Sequence, residues 1–287
     1  MTKRVLVLSF ALVGFANAAA AENPSTPTAE KFPTLNFAID GSLPLQYESN
    51  PTRVETKRQP DYVFSPYFKL SAFGDLRPDL SYSFYAATSV DRYLQTEDNT
   101  GSLAAFGTQL IKKWESLQLG VTYEHSYGYD KDFETLFSSN NDFGVFLRYS
   151  YTNPAGDFNI RPYLTATTRL DEGLALQRNL YSFKIDFERR LIDRWWIILT
   201  PRVRYYNYFD TQAGRRDLIT SISTGLKFDV SRDVNFTTSI GYENRASNIP
   251  GKNYDNLIIG ASLDFSYTYF GRHGGGAGSD FLQWLSH

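Results

Sequence analysis

The stretch Leu35–Tyr47, LNFAIDGSLPLQY, alternates between apolar and polar side chains. Its odd positions read Leu, Phe, Ile, Gly, Leu, Leu and Tyr, whereas its even positions read Asn, Ala, Asp, Ser, Pro and Gln. A period of two is that of a β-strand, because successive side chains point to opposite faces of a sheet. A tilted strand of about 9–11 residues crosses a bilayer, and this stretch is longer. It therefore predicts a membrane-spanning strand with one apolar face.

The same alternation recurs along the chain. Phe143, Val145 and Leu147 alternate with Gly144, Phe146 and Arg148, for example, and a similar pattern ends the series at 256–270. It leaves the facing of 61–73 and 102–113 undecided. The predicted strands are 35–47, 61–73, 80–92, 102–113, 117–128, 143–152, 158–170, 179–191, 195–208, 218–230, 234–246 and 256–270.

The connections between these strands alternate in length. Short ones such as WES and IDR are followed by long polar ones such as ESNPTRVETKRQP and DKDFETLFSSNN. Outer-membrane barrels have short periplasmic turns and longer extracellular loops. We therefore predict an all-β fold, a transmembrane antiparallel up-and-down β-barrel of about twelve strands over 35–270, with both termini periplasmic. The alternative is a large secreted all-β protein whose aromatic residues form a core.

The segments outside the predicted barrel are short. Residues 1–21 have a basic start, an apolar core and small residues at the end, which is typical of a secretory signal peptide. Residues 22–34 are rich in Pro and Thr and are predicted to be a periplasmic lead, and residues 271–287 are predicted to be a Gly-rich periplasmic tail. The absence of cysteine excludes disulfides and a lipid-modified thiol.

Composition narrows the classes of function. The net charge of −2 over 287 residues gives no electrostatic reason for nucleic-acid binding. The 20 Tyr and 22 Phe in a chain without long apolar runs fit alternating strands better than membrane helices.

The predicted last strand carries a first family resemblance. The sequence LDFSYTYF at 263–270 resembles the closing strand of Gram-negative outer-membrane β-barrels, which ends in an aromatic residue read by the insertion machinery. Here 17 further residues follow Phe270, including DFLQWL, which could bind the barrel or a partner or have no role. The resemblance implies outer-membrane lipid, lipopolysaccharide and the barrel insertion machinery as partners.

A second resemblance lies at the end of the first strand. The sequence LQYESNPTR at 45–53 is similar to the opening of the putative β-barrel porin families found near exopolysaccharide gene clusters. It implies a porin-like or polysaccharide-associated barrel. Asn50-Pro51 within it is also an ordinary turn signal.

A set of charged residues occupies the polar positions of the alternating pattern, so their side chains are predicted to face the lumen. Basic residues come from the strands between 143 and 208, and acidic ones from the first and last strands, which lie on roughly opposite walls of a twelve-strand ring. Such walls create a transverse field that biases passage by charge. The predicted lumen and selectivity residues are Arg148, Lys184, Asp186, Arg202, Arg204, Asp40, Asp264 and Glu124.

The predicted function is a narrow passive channel for small polar or anionic solutes such as oligosaccharides, similar in strand number to the monomeric twelve-stranded acidic-sugar channels. Alternatively, Lys184 and Asp186 pair with Arg202 and Arg204 and fill the lumen, giving a non-conducting scaffold or an accessory of polysaccharide export.

An enzyme is the competing class. Outer-membrane phospholipases of twelve strands use a His-x-Ser pair with an asparagine on a neighbouring strand. In YEHSYG at 123–128, His125 and Ser126 are adjacent and so point to opposite faces, and only a β-bulge near Gly128 could realign them. We therefore predict no catalytic residues. The sequence also shows no metal-ligand cluster and no cofactor motif.

Overall fold

The computed structural model describes residues 34–55, 59–96, 100–130, 133–171, 177–209 and 214–269. The predicted signal peptide, residues 22–33 of the predicted lead, Phe270 and the 271–287 tail lie outside the described residues. No helix in the described ranges is both long and apolar enough to cross a membrane.

Fourteen strands form one antiparallel sheet that closes on itself. They are β1 (Asn36–Glu48), β2 (Asp61–Phe64), β3 (Tyr67–Arg77), β4 (Leu80–Tyr93), β5 (Gly101–Trp114), β6 (Leu117–Asp130), β7 (Leu136–Tyr149), β8 (Tyr151–Thr152), β9 (Phe158–Asp171), β10 (Arg178–Ile192), β11 (Trp195–Tyr208), β12 (Arg216–Asp229), β13 (Val234–Ser247) and β14 (Tyr254–Tyr269). Consecutive strands pair, apart from β2 with β3 and β7 with β8, and β1 pairs with β14 to close the ring.

Two of the barrel strands are each interrupted once, so the fourteen strands occupy twelve positions around the barrel. Strands β2 and β3 both lie between β1 and β4 and are separated only by Ser65 and Pro66, the latter lacking a backbone N–H for the ladder. Strand β8 continues β7 along β9. The predicted twelve-stranded antiparallel barrel is therefore confirmed.

The connections define two ends of the barrel. One end, named here the turn end, carries the short connections such as Glu115-Ser116 and Asp193-Arg194. The other, named the loop end, carries the connections at 49–60, 94–100, 131–135, 172–177, 209–215 and 248–253. The predicted alternation of loop lengths is confirmed.

One predicted loop is partly strand. The stretch DKDFETLFSSNN was expected to be a connection, but β7 begins at Leu136 and includes all of its second half. The polar side chains of Ser138, Asn140 and Asp142 misled the prediction, because they face the lumen and are buried there. A lumen-facing row can be fully polar within a strand.

The barrel has its polar groups inside and its apolar groups outside. Leu43, Phe84, Val121 and Leu147 are 40–57% exposed, as expected of side chains whose solvent is lipid. The largest fully buried side chains are instead Asn50, Asn256, Asp40, Asp61, Asp217 and Ser126.

The structure also resolves the two strands of undecided facing. On β3, Tyr67 and Lys69 face the lumen and Phe68 and Leu70 face outward. On β5, the register opposite β4 and β6 places Ala105 and Gly107 inside and Phe106 outside.

Candidate functional site

The lumen is the candidate functional site. All eight predicted lumen residues lie on the inward faces of their strands, at positions of the same parity as their buried neighbours. They do not form one cluster, but belong to several separate polar groups at different heights and on different walls.

The first group is built around Glu124 on β6, which is 3% exposed. The Tyr85 hydroxyl on β4 donates a hydrogen bond of 2.6 Å to Glu124 Oε2. These residues are two strands apart, with Gly107 of β5 in register between them. A Cβ at Gly107 would lie 2.1 Å from the Tyr85 ring, so the missing side chain is what allows the contact.

A second carboxylate lies directly opposite Glu124. Asp142 of β7 is its register partner and is also 3% exposed. Like charges directly opposite each other on a sheet destabilise it. Arg169 on β9 offsets this with two parallel hydrogen bonds to Asp142, of 2.9 and 2.6 Å. A cavity of about 10 Å³, about the space of one water, lies beside Glu124 between β6 and β9.

The acidic wall that the sequence predicts carries its own cation. Asp40 on β1 is 2.9 Å from Lys69 Nζ on β3 and accepts a hydrogen bond from Ser266. The sequence prediction missed Lys69, because the alternation did not decide the facing of 61–73. Asp264 on β14 accepts hydrogen bonds from Ser42 and Ser262.

Charged side chains of the predicted basic wall also form ion pairs or hydrogen bonds. Lys184 is 3.1 Å from Asp186 on its own strand, and Asp186 accepts a hydrogen bond from Thr200. Arg204 forms a buried ion pair with Glu243, two strands away on β13. At the turn end, Arg148 donates a 2.5 Å hydrogen bond to Gln118.

Arg202, the remaining predicted residue, lies beside a different kind of wall. It is partly exposed, contacts Ser182 at 3.5 Å, and is in register with Ser221 of β12. From there on, the inward faces of β12, β13 and β14 carry mostly small side chains at mid-height, and these residues are partly exposed. This surface is named the small-residue wall and consists of Ser221, Ser223, Gly225, Thr237, Ser239, Gly241, Gly260 and Ser262.

The lumen is therefore filled on one side. The inward residues of β3 to β11 include large buried side chains such as Tyr67, Tyr85, Phe146, Lys184 and Arg204. Those of the small-residue wall keep contact with solvent. At mid-height, the inward side chains of β12–β14 are thus more exposed to solvent than these large residues.

The small-residue wall ends abruptly at the loop end. Glu243, one inward step beyond Gly241, is 4% exposed and accepts a 2.5 Å hydrogen bond from the Tyr254 hydroxyl. On β12, Asp217 is fully buried and pairs with Arg215 and Arg245.

The 45–53 stretch completes this closure. Asn50 is fully buried, accepts the Val54 N–H and donates to the backbone carbonyls of Val54 and Asp255. Its own N–H donates to Asn256, which donates to Glu48. The sequence predicts a turn at Asn50-Pro51, but it does not predict that Asn50 is buried.

Arg53 from this loop joins the acidic groups of the barrel mouth. Burial would lower the pKa of its guanidinium, but the neighbouring Tyr254, Glu243 and Glu48 raise that pKa above its ordinary value. Arg53 therefore stays charged, and its φ of 52° places it in the left-handed region that non-Gly residues rarely adopt.

His125 lies on the outer face, as predicted. Its Nδ1 is 2.9 Å from Asn141 Oδ1 on β7, and Tyr127 is its next neighbour on the same face. The ladder between β6 and β7 does have an irregularity, but at Gly128/Tyr129, beyond the pair. Ser126 stays on the lumen face and is 2% exposed. In the described ranges, no three metal-ligating side chains come together.

Part of the chain matches a family model, and its fold matches solved structures. Residues 165–267 match the family model described as putative beta-barrel porin 2, which covers β10–β13, the second half of β9 and most of β14 but not the 45–53 stretch. No curated protein matches the chain.

Several solved structures are similar. An outer membrane channel from Pseudomonas putida F1 has a TM-score of 0.53 at 11% identity, over 85% of this chain and 100% of that chain. The KdgM porin has a TM-score of 0.43 at 9% identity, over 78% of this chain and 99% of that chain. At such identities the likeness concerns the fold alone. The chain thus has the fold of the Gram-negative outer-membrane β-barrels, and its 165–267 part is similar to a porin family of that class.

Proposed function

We propose that the protein is a narrow passive channel of the outer membrane for small polar solutes such as oligosaccharides, with its path along the small-residue wall. The observation that carries the proposal is the one-sided filling of the lumen. Large paired side chains occupy the β3–β11 side, whereas Ser, Thr and Gly on β12–β14 remain partly exposed.

The chemistry of this wall suits uncharged and hydroxylated solutes. Serine and threonine hydroxyls both donate and accept hydrogen bonds, so they can replace the water around a sugar hydroxyl. Selectivity in such a pore depends on its diameter and on the donors and acceptors that line it.

We further propose that anionic solutes are favoured, with Arg202 as the residue that faces the path. Its register partner is Ser221 of the small-residue wall. The opposing acidic wall carries less net negative charge than its sequence suggests, because Lys69 forms an ion pair with Asp40. The roles of Arg148, Lys184, Asp186, Arg204, Asp264 and Glu124 in this proposal are to shape the lumen through their hydrogen bonds and ion pairs.

The alternative function is a non-conducting scaffold or an accessory of polysaccharide export. The closure of the loop end around Glu243 and Asp217 favours it. In either case we propose that the loop end faces the cell exterior and the termini face the periplasm, as in barrels with short periplasmic turns. Lipid, lipopolysaccharide and the insertion machinery remain the proposed partners.

We also propose that the protein is not an enzyme. The supporting observation is that Tyr123 and Tyr127 are the same-face neighbours of His125, whereas Ser126 faces the lumen. Phospholipid hydrolysis by the purified protein that is lost in His125→Ala would contradict this.

Swelling of proteoliposomes in isotonic sugars tests the channel. We expect swelling in mono- and disaccharides that slows with solute size, and faster entry of a uronate than of the neutral sugar of the same size. Swelling no faster than that of protein-free liposomes would favour the scaffold.

A further inference from the structure

Four polar side chains lie in one row on the outer face of the barrel, near its loop end. This row, named here the polar row, consists of Thr168 on β9, Asn179 on β10, Asn207 on β11 and Arg216 on β12. Each of them is the register partner of the next. Arg216 is exposed and has the same parity as Leu218, which is 43% exposed on the outer face. The row therefore interrupts a face that is otherwise mostly apolar.

The chemistry of the outer face changes in steps towards this row. On β10 and β11, Phe183 and Val203 are register partners, the next outward pair is Tyr181 and Tyr205, and the two asparagines follow. The rings of Tyr181 and Tyr205 stack with their centroids 6.3 Å apart. Tyrosines are enriched where the apolar core of a membrane meets its headgroups. The polar row thus lies at the headgroup level of the leaflet at the loop end.

The polar row offers hydrogen-bond donors to a partner outside the barrel. Asn179 Oδ1 accepts a hydrogen bond of 2.9 Å from the Thr168 hydroxyl, so the NH₂ group of this amide is directed elsewhere. Within the described part of the chain, the side chains of Asn207 and Arg216 make no hydrogen bond or ion pair. The backbone N–H of Arg216 donates to Asn248 Oδ1 at 2.7 Å, which holds the residue at the end of the row.

These donors fit a phosphate group that is attached to a sugar. A guanidinium binds phosphate through two parallel N–H bonds. The amides of Asn179 and Asn207 both donate and accept, as sugar hydroxyls do. Because neighbouring strands are about 4.8 Å apart, the row from Asn179 to Arg216 spans about 10 Å. A partner must therefore present an anionic group and hydroxyl groups within about that distance.

The row has an end on each side. The register partner of Thr168 on β7 is Phe143, which is apolar. Beyond Arg216, the side chain of Asn248 is already bonded to the backbone of Arg216 and of Gly214. The binding surface is therefore confined to β9–β12.

We infer that the polar row is a binding site for the phosphorylated sugar headgroup of a glycolipid of the outer leaflet. Arg216 binds the phosphate, Asn179 and Asn207 bind sugar hydroxyls, and the acyl chains lie along Phe183 and Val203. The inference gives the proposed partner lipopolysaccharide a defined place on the barrel wall. It rests on the orientation proposed above, in which the loop end faces the cell exterior, and not on conduction.

Equilibrium binding of lipid A, a phosphorylated glycolipid, to the purified protein in a neutral, sugar-free detergent tests the site. Native mass spectrometry resolves the protein with and without one bound lipid. We expect Arg216→Gln to weaken binding by about tenfold, because a hydrogen-bonded charge pair is lost, and Asn207→Ala to weaken it by about threefold. Binding as tight as that of the wild type in both variants overturns the site.

Arg189→Gln is the matched control. Arg189 is also exposed on the outer face of β10, but it lies at the turn end, with Phe158 and Ile197 as register partners. We expect this variant to bind lipid A as the wild type does. An equal loss in Arg189→Gln and Arg216→Gln would show that any outer arginine serves, and would overturn the role of the row.

Phosphatidylglycerol separates the sugar from the phosphate, since it carries a phosphate without a sugar. We expect it to bind the wild type more weakly than lipid A and to be less affected by Asn207→Ala. Equal affinities for the two lipids would overturn the assignment to a glycolipid.

The orientation and the channel are tested apart from the site. The chain has no cysteine, so Glu55→Cys, at an exposed position of the loop end, takes one membrane-impermeant maleimide. We expect labelling of intact cells, and labelling only after lysis would overturn the glycolipid as the partner. Wild-type protein that binds lipid A through Arg216 but does not conduct contradicts the channel and supports the site.

Discussion

Tyr85 on β4 and Glu124 on β6 are joined by a 2.6 Å hydrogen bond that passes over Gly107 of β5. Phe146 of β7 lies over Gly120 of β6 in the same way, with a ring atom 2.3 Å from where a Cβ would be. Glycines on one strand thus make room for rings from the next. This is how the β3–β11 side of the lumen is filled while the backbone stays regular.

Gly107→Ala is expected to destabilise the barrel by about 1–3 kcal/mol, because the added methyl group overlaps a buried ring. Gly101→Ala on the same strand is the control, since its Cβ would meet only the Tyr129 carbonyl oxygen, at 3.4 Å. Urea unfolding in detergent micelles measures both. Equal stability of the two variants would mean that Tyr85 can move away without cost.

Arg169→Ala is expected to cost about 3–5 kcal/mol, because it leaves Asp142 buried beside Glu124 without its bidentate partner. The double variant Arg169→Met with Asp142→Leu should be more stable than this single one, since no buried charge is left unpaired. Arg77→Ala breaks only an exposed pair with Asp79 and should leave stability nearly unchanged. The same unfolding assay compares them, and a harmless Arg169→Ala would show that water reaches Asp142.

Ser239→Trp is expected to lower conductance and sugar entry severalfold, since a large ring would occupy the proposed path. Ile240→Trp on the next residue is the control, because Ile240 faces outward and is 47% exposed. Both proteins should fold, as judged by the heat-dependent shift of the barrel on a gel. An unchanged conductance of Ser239→Trp would place the path elsewhere.

Arg202→Gln is expected to reduce the preference for anions without closing the path. The measurement is the reversal potential in a salt gradient, which should move towards the cation side. Arg77→Gln should leave it unchanged. If Arg202→Gln kept the full anion preference, the selectivity would have to come from other charged residues of the lumen.

Alternation was enough to predict most of the fold. In β1, β6 and β10 a clean period of two gave both the strand and its facing, because lipid on one side and polar contacts on the other select opposite residue types. The alternation did not decide the facing of β3, where Ala72 and Phe73 interrupt the pattern. The sequence therefore did not predict that Lys69 is a cation of the lumen. The alternation also failed at Ser138–Asp142, where a fully polar lumen row is indistinguishable from a loop.

The lumen contacts were harder to predict than the strands. Parity placed Arg204 inside, but its pairing with Glu243 across an intervening strand depends on how the barrel curves and on which side chains are small. The closure at Asn50 and Arg53 was not predictable from strand patterns, since it comes from a loop that folds back into the mouth.

Planar-bilayer recording of the purified wild-type protein shows whether the barrel conducts ions. We expect discrete, small conductance steps with an anion preference, smaller than those of a lumen open across its full width. The absence of any conductance, or a strict preference for cations, would contradict the proposed channel.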